Sequence, residues 1–462
     1  MSGRRVPLVV LGAGPAGVAA ARVAVDARVP VVLVDLGVRT GGQYHRREPD
    51  AFRTERPGAL HHGWERFADD MARLERSPRF THVPTAGVWG VQRLADGGVR
   101  IATDRADLPL LESDAVIVAT GANERVVPFP GWDLPGVITV GGAQALLKGQ
   151  GMRPGRAVVV AGAGPLLLPV AAALARVRTR IVALADANDP RAWLAGSPRG
   201  VPLAKLREGT EHLATLARHG VRLRTRTAAV AAHGDGRVEE VVLARLERDW
   251  TPIAGSERTV TADALATSHG FVPDVGLAVT LGCRLDVHDA TAPCVAVDAL
   301  QATSVANVWA AGEITGIGSA DVADHEGRVA GLAAARALGG DVTEEALERA
   351  VARRRADAAF VRRLSRVLSV GDGWTSWLTP DTVVCRCEEV TLATVDEAIV
   401  RRGATDLRSV KLTTRCGMGH CQARMCAANV AGLITARTGR PPADAGALDR
   451  RPVSHPVPLG RL

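Results

Sequence analysis

Five of the seven cysteines lie between Cys385 and Cys426, as Cys385-Arg-Cys387 and then Cys416-Gly-Met-Gly-His-Cys421-Gln-Ala-Arg-Met-Cys426. Thiolates gathered at this density suit an iron–sulfur cluster or a tetrahedral zinc ion. The C-x-C pair sets two sulfurs on one turn, and Gly417 and Gly419 let the chain fold tightly and aim backbone N–H groups at sulfur. Arg386, Arg415 and Arg424 are placed to offset thiolate charge. An odd, clustered cysteine count argues against a disulfide framework and for metal binding in a reducing compartment. Cys283 and Cys294 stand apart and read as small core or loop residues.

The second set of chemistry-bearing residues is glycine. Gly12-Ala-Gly14-Pro15-Ala16-Gly17 follows the apolar run at residues 6–11 and opens an Ala/Val helix to about Arg28. Gly12 allows the tight turn, Gly14 lets backbone approach a pyrophosphate, and Gly17 lets the helix pack on the strand. The helix N-terminus attracts the phosphates. A second apolar strand, Val31 to Val34, ends at Asp35, where a carboxylate can accept hydrogen bonds from ribose hydroxyls. Residues 113–121 read as a further buried strand ending in Ala119-Thr120-Gly121, and Val305 to Ala311 as another leading into Gly312-Glu313.

The nucleotide-binding unit recurs. Residues 156–161, Gly162-Ala-Gly164, an Ala-rich helix and a strand ending at Asp186 repeat the same order. Here Leu167 stands where the third glycine belongs, which should push the helix off the strand, and Pro169 follows. Both changes weaken the case for NAD(P) and favour a retained structural domain, although Asp186 remains placed for an adenosine ribose.

With 462 residues the chain is long enough for two or three domains with real cores. The net charge of +8 is carried almost wholly by arginine, while aromatic residues make up 3 % with Tyr44 the single tyrosine. Spread arginines without stacking platforms do not suit nucleic acid. Two segments imitate membrane signals: Arg4-Arg5 with the apolar run to Ala21, and the uncharged stretch Ala157 to Ala175. Each holds Gly-x-Gly at a strand-to-helix junction, so a buried strand and helix are expected in both, without a transmembrane segment.

The glycines, Asp35, the Ala119-Thr120-Gly121 strand end and Val308-Trp-Ala-Ala-Gly312-Glu313 together resemble the two-dinucleotide-domain, glutathione-reductase-like flavoproteins over roughly residues 6–340. The resemblance implies that the first domain binds FAD, that Glu313 stands for the usual aspartate reaching the ribityl chain, and that the helix after Gly318 points its N-terminus at the flavin, stabilising its reduced anion. Disulfide reductases of that superfamily carry a redox cysteine pair near the flavin; Thr40-Gly-Gly-Gln-Tyr-His has none, which argues against disulfide reduction.

The cysteine strings resemble the bacterioferritin-associated-ferredoxin-like [2Fe–2S] domain. The matching ligands are Cys385, Cys387, Cys421 and Cys426; Cys416 falls on a variable position and reads as a spare, and Ala423 replaces the usual glycine. Together with Gly41-Gly42-Gln43, Gly270-Phe-Val-Pro273, Ala311 to Gly318, Glu326-Gly327 and Pro456 to Gly460, the whole order is similar to the alpha (A) subunit of heteromeric FAD-dependent amino-acid dehydrogenases. That group includes hydrogen cyanide synthase, opine oxidases and proline or hydroxyproline dehydrogenases.

The resemblance implies an α/β fold with two Rossmann-like domains and a small helical [2Fe–2S] domain. It divides the chain into a discontinuous FAD domain (1–145 and 275–342), a second, degenerate nucleotide domain (146–274), a helical connector (343–379), the cluster domain (380–440) and an extended tail (441–462). The implied cofactor contacts are Gly12, Gly14, Pro15, Ala16, Gly17, Asp35, Gly42, Gln43, Thr120, Gly121, Gly312, Glu313 and Gly318. The implied partners are a glycine-oxidase-like beta subunit that oxidises the amino acid and a small ferredoxin-like gamma subunit. The implied location is the cytoplasm, or the inner-membrane periphery through the complex. No catalytic constellation stands out among the twelve scattered histidines, and flavin hydride chemistry needs none. Two other classes stay open: a stand-alone NAD(P)H-dependent FAD oxidoreductase, and a non-redox nucleotide-binding partner subunit.

Overall fold

Two sheets built on Gly-x-Gly turns organise the chain. The computed structural model describes residues 5–48, 61–189, 203–287, 292–367, 369–446, 448, 450–451 and 453–461. The first sheet runs in the order Phe80–Val83, Val31–Val34, Arg5–Leu11, Leu110–Val118, Val99–Thr103, Val88–Arg93. Its first four strands are parallel, and their fully buried valines and leucines follow from helices covering one face and a β-meander the other. The nine-residue strand Leu110–Val118 divides its two ends. The near end pairs antiparallel with Val99–Thr103, while Val116–Val118 pair parallel with Val308–Ala310, which returns from far along the chain.

The second sheet is all parallel, in the order Leu223–Thr225, Arg180–Asp186, Ala157–Ala163, Ala264–His269, Val137–Thr139. Ala122–Glu124 and Phe271–Pro273 form the two-stranded antiparallel crossing between the sheets. Both segments that imitate membrane spans are strand plus helix: Arg5–Leu11 with Pro15–Asp26, and Ala157–Ala163 with Leu167–Arg176. Among the described residues no helix is long and apolar enough to cross a membrane.

The helix Ala320–Ala337 packs on Pro15–Asp26 at unusually short range. A Cβ on Gly327 would meet the Ala16 carbonyl oxygen at 2.1 Å, and one on Gly331 the Ala20 carbonyl oxygen at 2.4 Å. Glu344–Val367 forms the long charged helix that follows, and a 3₁₀ segment Asp372–Trp377 buries Trp374 and Trp377. The cysteine-bearing region adds the short strands Val383–Cys385 and Val390–Thr391 and the helices Leu392–Asp396, Leu407–Thr414 and Ala427–Thr438. One apolar core runs through both this region and the second nucleotide unit, including Phe129, Trp132, Trp250, Trp377, Cys385 and Leu433.

Candidate functional site: a dinucleotide cradle and a five-cysteine centre

The first glycine turn has a separate steric reason at each position. Gly12 has φ +105, and a Cβ there would meet the Ala119 carbonyl oxygen at 2.3 Å. At Gly17 it would meet the Gly12 carbonyl oxygen at 1.8 Å, whereas around Gly14, the N-cap of Pro15–Asp26, nothing lies within 4 Å. The turn is closed on the protein side and open at Gly14, which suits a pyrophosphate drawn to the helix N-terminus.

Asp35 braces this turn. Its Oδ2 accepts the Ala13 N–H at 2.6 Å and its Oδ1 the Gly37 N–H at 2.6 Å, while burial raises its pKa. The loop at Gly41–Gln43 folds onto the same turn: the Gly41 N–H donates to the Ala13 carbonyl at 2.7 Å, and a Cβ on Gly42, at φ +56, would lie 2.9 Å from the Gly14 Cα. Gln43 is exposed and accepts a hydrogen bond from Arg46. Thus Gly12, Gly14, Pro15, Ala16, Gly17, Asp35, Gly42 and Gln43 are gathered at one end of the first sheet.

Gly312, at φ +84, joins them; a Cβ there would meet the Ala16 Cβ at 2.9 Å. Its N–H donates to Glu326 Oε2 at 3.0 Å, which also accepts from Thr315 Oγ1 at 2.9 Å, and Arg354 lies 3.3 Å from Glu326 Oε1. This buried carboxylate, pushed above its usual pKa by burial, shapes the turn carrying Glu313. In the sequence Glu326 stands out only within a family string; a lone glutamate on the Ala/Gly/Val face of a helix is the signal for its role. Glu313 itself is densely surrounded, and burial lifts it to about 7. Ser319, just after Gly318, caps the helix Ala320–Ala337 by accepting the Val322 N–H. Thr120 and Gly121, at the strand end beside the glycine turn, are held by Asp274: Thr120 Oγ1 donates to the Asp274 carbonyl at 2.8 Å, and the Gly121 carbonyl accepts the Asp274 N–H at 2.9 Å.

The second glycine turn is as tightly packed at its first glycine but leads into a later helix. Gly162, at φ +145, lies against the Ser268 carbonyl, where a Cβ would come within 1.7 Å. The helix begins only at Leu167, later than in the first unit relative to its glycines, and the Leu167 side chain is fully buried. The helix thus starts two residues later than in the first unit, about half a turn, which moves its first N–H groups away from the glycine turn. Asp186 accepts the Asn188 N–H at 2.9 Å, and burial raises it to about 7.

The cysteine centre departs from the expected ligand picture at Cys416. That residue is buried, and its Sγ, with those of Cys385 and Cys426, forms a group within 4.8 Å of one another. The sulfur read as a spare thus lies next to two of the expected ligands: left-handed Arg415, at φ +68, ends the helix Leu407–Thr414 and turns the next residue inward. Cys385 is held far below the usual thiol pKa by the Cys416 and Cys426 thiols and the Gly417 N–H at 3.5 Å, and Cys416 and Cys426 are correspondingly raised. Burial, with the neighbouring Cys421 thiol, lifts Cys387 to about 11. Thiolates as close as Cys385, Cys416 and Cys426 repel one another, and a bound iron or zinc would offset that repulsion.

The intervening glycines are required by these sulfurs. A Cβ on Gly419 would meet the Cys387 Cβ at 2.3 Å, and Gly417 has φ +86 beside Ala423 and Cys426. Ala423 has φ +64, the left-handed conformation that explains a glycine at this place in the resembling domain.

Contacts that no sequence motif announces join the two centres. Arg424 pairs with Asp274 at 3.3 Å and donates to the Ser454 carbonyl at 3.1 Å, while Asp274 holds Thr120 and Gly121. Asn429 Nδ2 donates to the Val126 carbonyl at 2.8 Å, Trp132 Nε1 to the Val383 carbonyl at 2.6 Å, and Arg386 to the Asp133 carbonyl at 3.0 Å. The Ser454 N–H donates to the Trp89 carbonyl, so the tail lies against the first sheet's β-meander.

Two family descriptions match the sequence: pyridine nucleotide-disulphide oxidoreductase over residues 6–327 and BFD-like [2Fe-2S] binding domain over 383–436. The chain is 32 % identical to the hydrogen cyanide synthase subunit HcnB of Pseudomonas aeruginosa, covering 98 % of this chain and 97 % of that one. It is 31 % identical to the A subunit of opine oxidase from Agrobacterium tumefaciens, covering 98 % and 91 %. In fold it is similar to L-proline dehydrogenase from P. horikoshii, with a TM-score of 0.71 at 20 % identity over 99 % of this chain and 79 % of that one.

Proposed function

Because the chain belongs to the pyridine nucleotide-disulphide oxidoreductase family, carries the BFD-like [2Fe-2S] domain and groups with HcnB and the opine oxidase A subunits, we propose that it is the electron-transfer subunit of a multi-subunit amino-acid dehydrogenase. Its donors would be secondary amines or imino acids, oxidised on a separate glycine-oxidase-like beta subunit, with a small ferredoxin-like gamma subunit completing the complex in the cytoplasm. FAD and a [2Fe–2S] cluster are the cofactors of these two families; when bound, the first takes two electrons together and the second carries one at a time.

The chain's own residues divide the work. Gly14 and the N-terminus of Pro15–Asp26 would hold the pyrophosphate, Asp35 the adenosine ribose and Glu313 the ribityl chain. The capped N-terminus of Ala320–Ala337 would favour negative charge on the reduced flavin. Cys385, Cys387, Cys421 and Cys426 would ligate the cluster, with Cys416 placed beside it and the Gly417 N–H directed at sulfur. We divide the chain into an FAD domain (1–145, 275–342), a second nucleotide domain (146–274), a connector (343–379), the cluster domain (380–440) and a tail, with Val137–Thr139 near the end of the first piece lending its strand to the second sheet.

The observation that carries this reading is the direct connection of the two centres. Thr120–Asp274–Arg424 links the strand end beside the glycine turn to the loop between Cys421 and Cys426, which fixes the two regions relative to each other. The two-residue delay of the helix at Leu167 weighs against a stand-alone NAD(P)H oxidoreductase. The test is the visible spectrum of the purified chain, oxidised and after dithionite, with metal analysis. Flavin bands, bleachable cluster absorbance and about two irons per chain support the relay; zinc without iron, or no flavin, overturns it.

A further inference from the structure

The turn before the helix Trp64–Glu75 brings His62 against the helix Leu203–Arg218, where Glu208 and His212 lie one turn apart on one face. Their potential ligand atoms lie within 4.8 Å of one another. Glu208 Oε1 is 4.0 Å from His62 Nε2 and 3.9 Å from His212 Nε2, and the two imidazoles stand perpendicular with centroids 5.4 Å apart. These separations are too long for hydrogen bonds. His212 is 5 % exposed, yet neither of its ring nitrogens has a hydrogen-bond partner among the described residues. A buried imidazole with two unsatisfied nitrogens is costly unless something fills the gap.

The carboxylate is oriented for that gap. Glu208 Oε2 is held by Lys205 Nζ at 2.9 Å, and Lys205 by Asp321 at 3.0 Å, so Oε1 is the oxygen presented to the two histidines. Fixing one oxygen from outside is how ligating carboxylates are commonly supported. His62 is 43 % exposed at its side chain, and the cleft beside it, of about 410 Å³, is also lined by Glu208, Tyr44, Arg66 and Asp324.

We propose that His62, Glu208 and His212 form a mononuclear divalent transition-metal site of the zinc class, with its fourth position open to this cleft. Ligand bonds near 2.0–2.2 Å place tetrahedral ligands about 3.3 Å apart, so closing on the ion shortens each edge to Glu208 by about 0.6 Å and the edge between the imidazoles by at most about 1.5 Å. The metal would also tie the second nucleotide unit to the first, because His62 and Glu208 lie on different units. This inference is independent of the electron-transfer reading.

The test is zinc chloride added to the full cofactor-loaded chain, followed by calorimetric titration and zinc-edge X-ray absorption. One equivalent is expected to bind with a nitrogen/oxygen shell at about 2.0–2.1 Å. His62→Ala, an exposed change that leaves the core intact, and Glu208→Gln should each weaken binding at least tenfold without changing flavin or iron content. Zinc bound solely in a sulfur shell near 2.3 Å, no binding, or binding unaffected by either substitution would overturn the site and leave a salt-bridged surface.

Discussion

Ala423 shows how much one methyl can cost. At φ +64 it holds a conformation about 1–2 kcal/mol unfavourable for an L-residue, between two cluster cysteines. Ala423→Gly should therefore raise stability by about 1 kcal/mol, measured as the midpoint of denaturant unfolding, with unchanged iron content. Cys416 provides a second residue-scale test. Cys416→Ala is expected to keep about two irons per chain and to shift the cluster's reduction potential, because it removes a sulfur beside the cluster, whereas Cys385→Ala should lose iron. Iron loss from Cys416→Ala would move that residue into the ligand set.

Glu313 gives a pH dependence with a definite sign. Its folded value of about 7 lies above the ordinary 4.5, so the folded chain holds the extra proton between these values. Stability from this group is present below about 4.5 and falls as pH rises toward 7, by no more than ~3 kcal/mol. Glu313→Gln should flatten that fall, read as the difference in thermal midpoint between the two proteins from mildly acidic to mildly alkaline pH. A difference independent of pH would show that Glu313 titrates normally.

At the scale of elements, the decisive contact is the crossing of Ala320–Ala337 over Pro15–Asp26. Gly327 and Gly331 set its distance against the Ala16 and Ala20 carbonyls. Gly327→Ala must push the helices apart, since its Cβ meets fixed backbone at 2.1 Å. The expected result is ~1–3 kcal/mol of destabilisation with lowered flavin content, because the same helix carries Glu326 beneath Gly312. Ala337→Gly, at the exposed end of the same helix, is the comparison. It is expected to cost at most about 1 kcal/mol from helix propensity and to leave flavin content unchanged. A Gly327→Ala protein with full flavin and unchanged stability would show that the crossing can open freely.

At the scale of the molecule, the cysteine region is not a bead on a string. Its apolar residues share one core with Phe129, Trp132 and Trp250, and Trp377 stacks on Trp250 with ring centroids 6.0 Å apart. Scanning calorimetry of the loaded chain should therefore show this region melting together with the second nucleotide unit. A separate early transition for the cysteine region would mean that the shared core contributes little. The same packing gives the second nucleotide unit a structural role: residues of that unit share the core on which the cysteine region is built.

The sequence by itself determined the two glycine turns, the strand–turn–helix repeats and the cysteine-rich centre. Each rests on local chemistry: a positive φ that glycine meets most easily, a buried run of valines, or thiols too dense for any ordinary loop. Tertiary structure decided what depends on residues distant in sequence. It brought Cys416 beside Cys385, placed Glu326 under Gly312, joined Asp274 to Arg424 across 150 positions, and set His62 opposite Glu208 and His212. No local spacing carries such information, because these contacts are fixed by how sheets and helices pack around a common core.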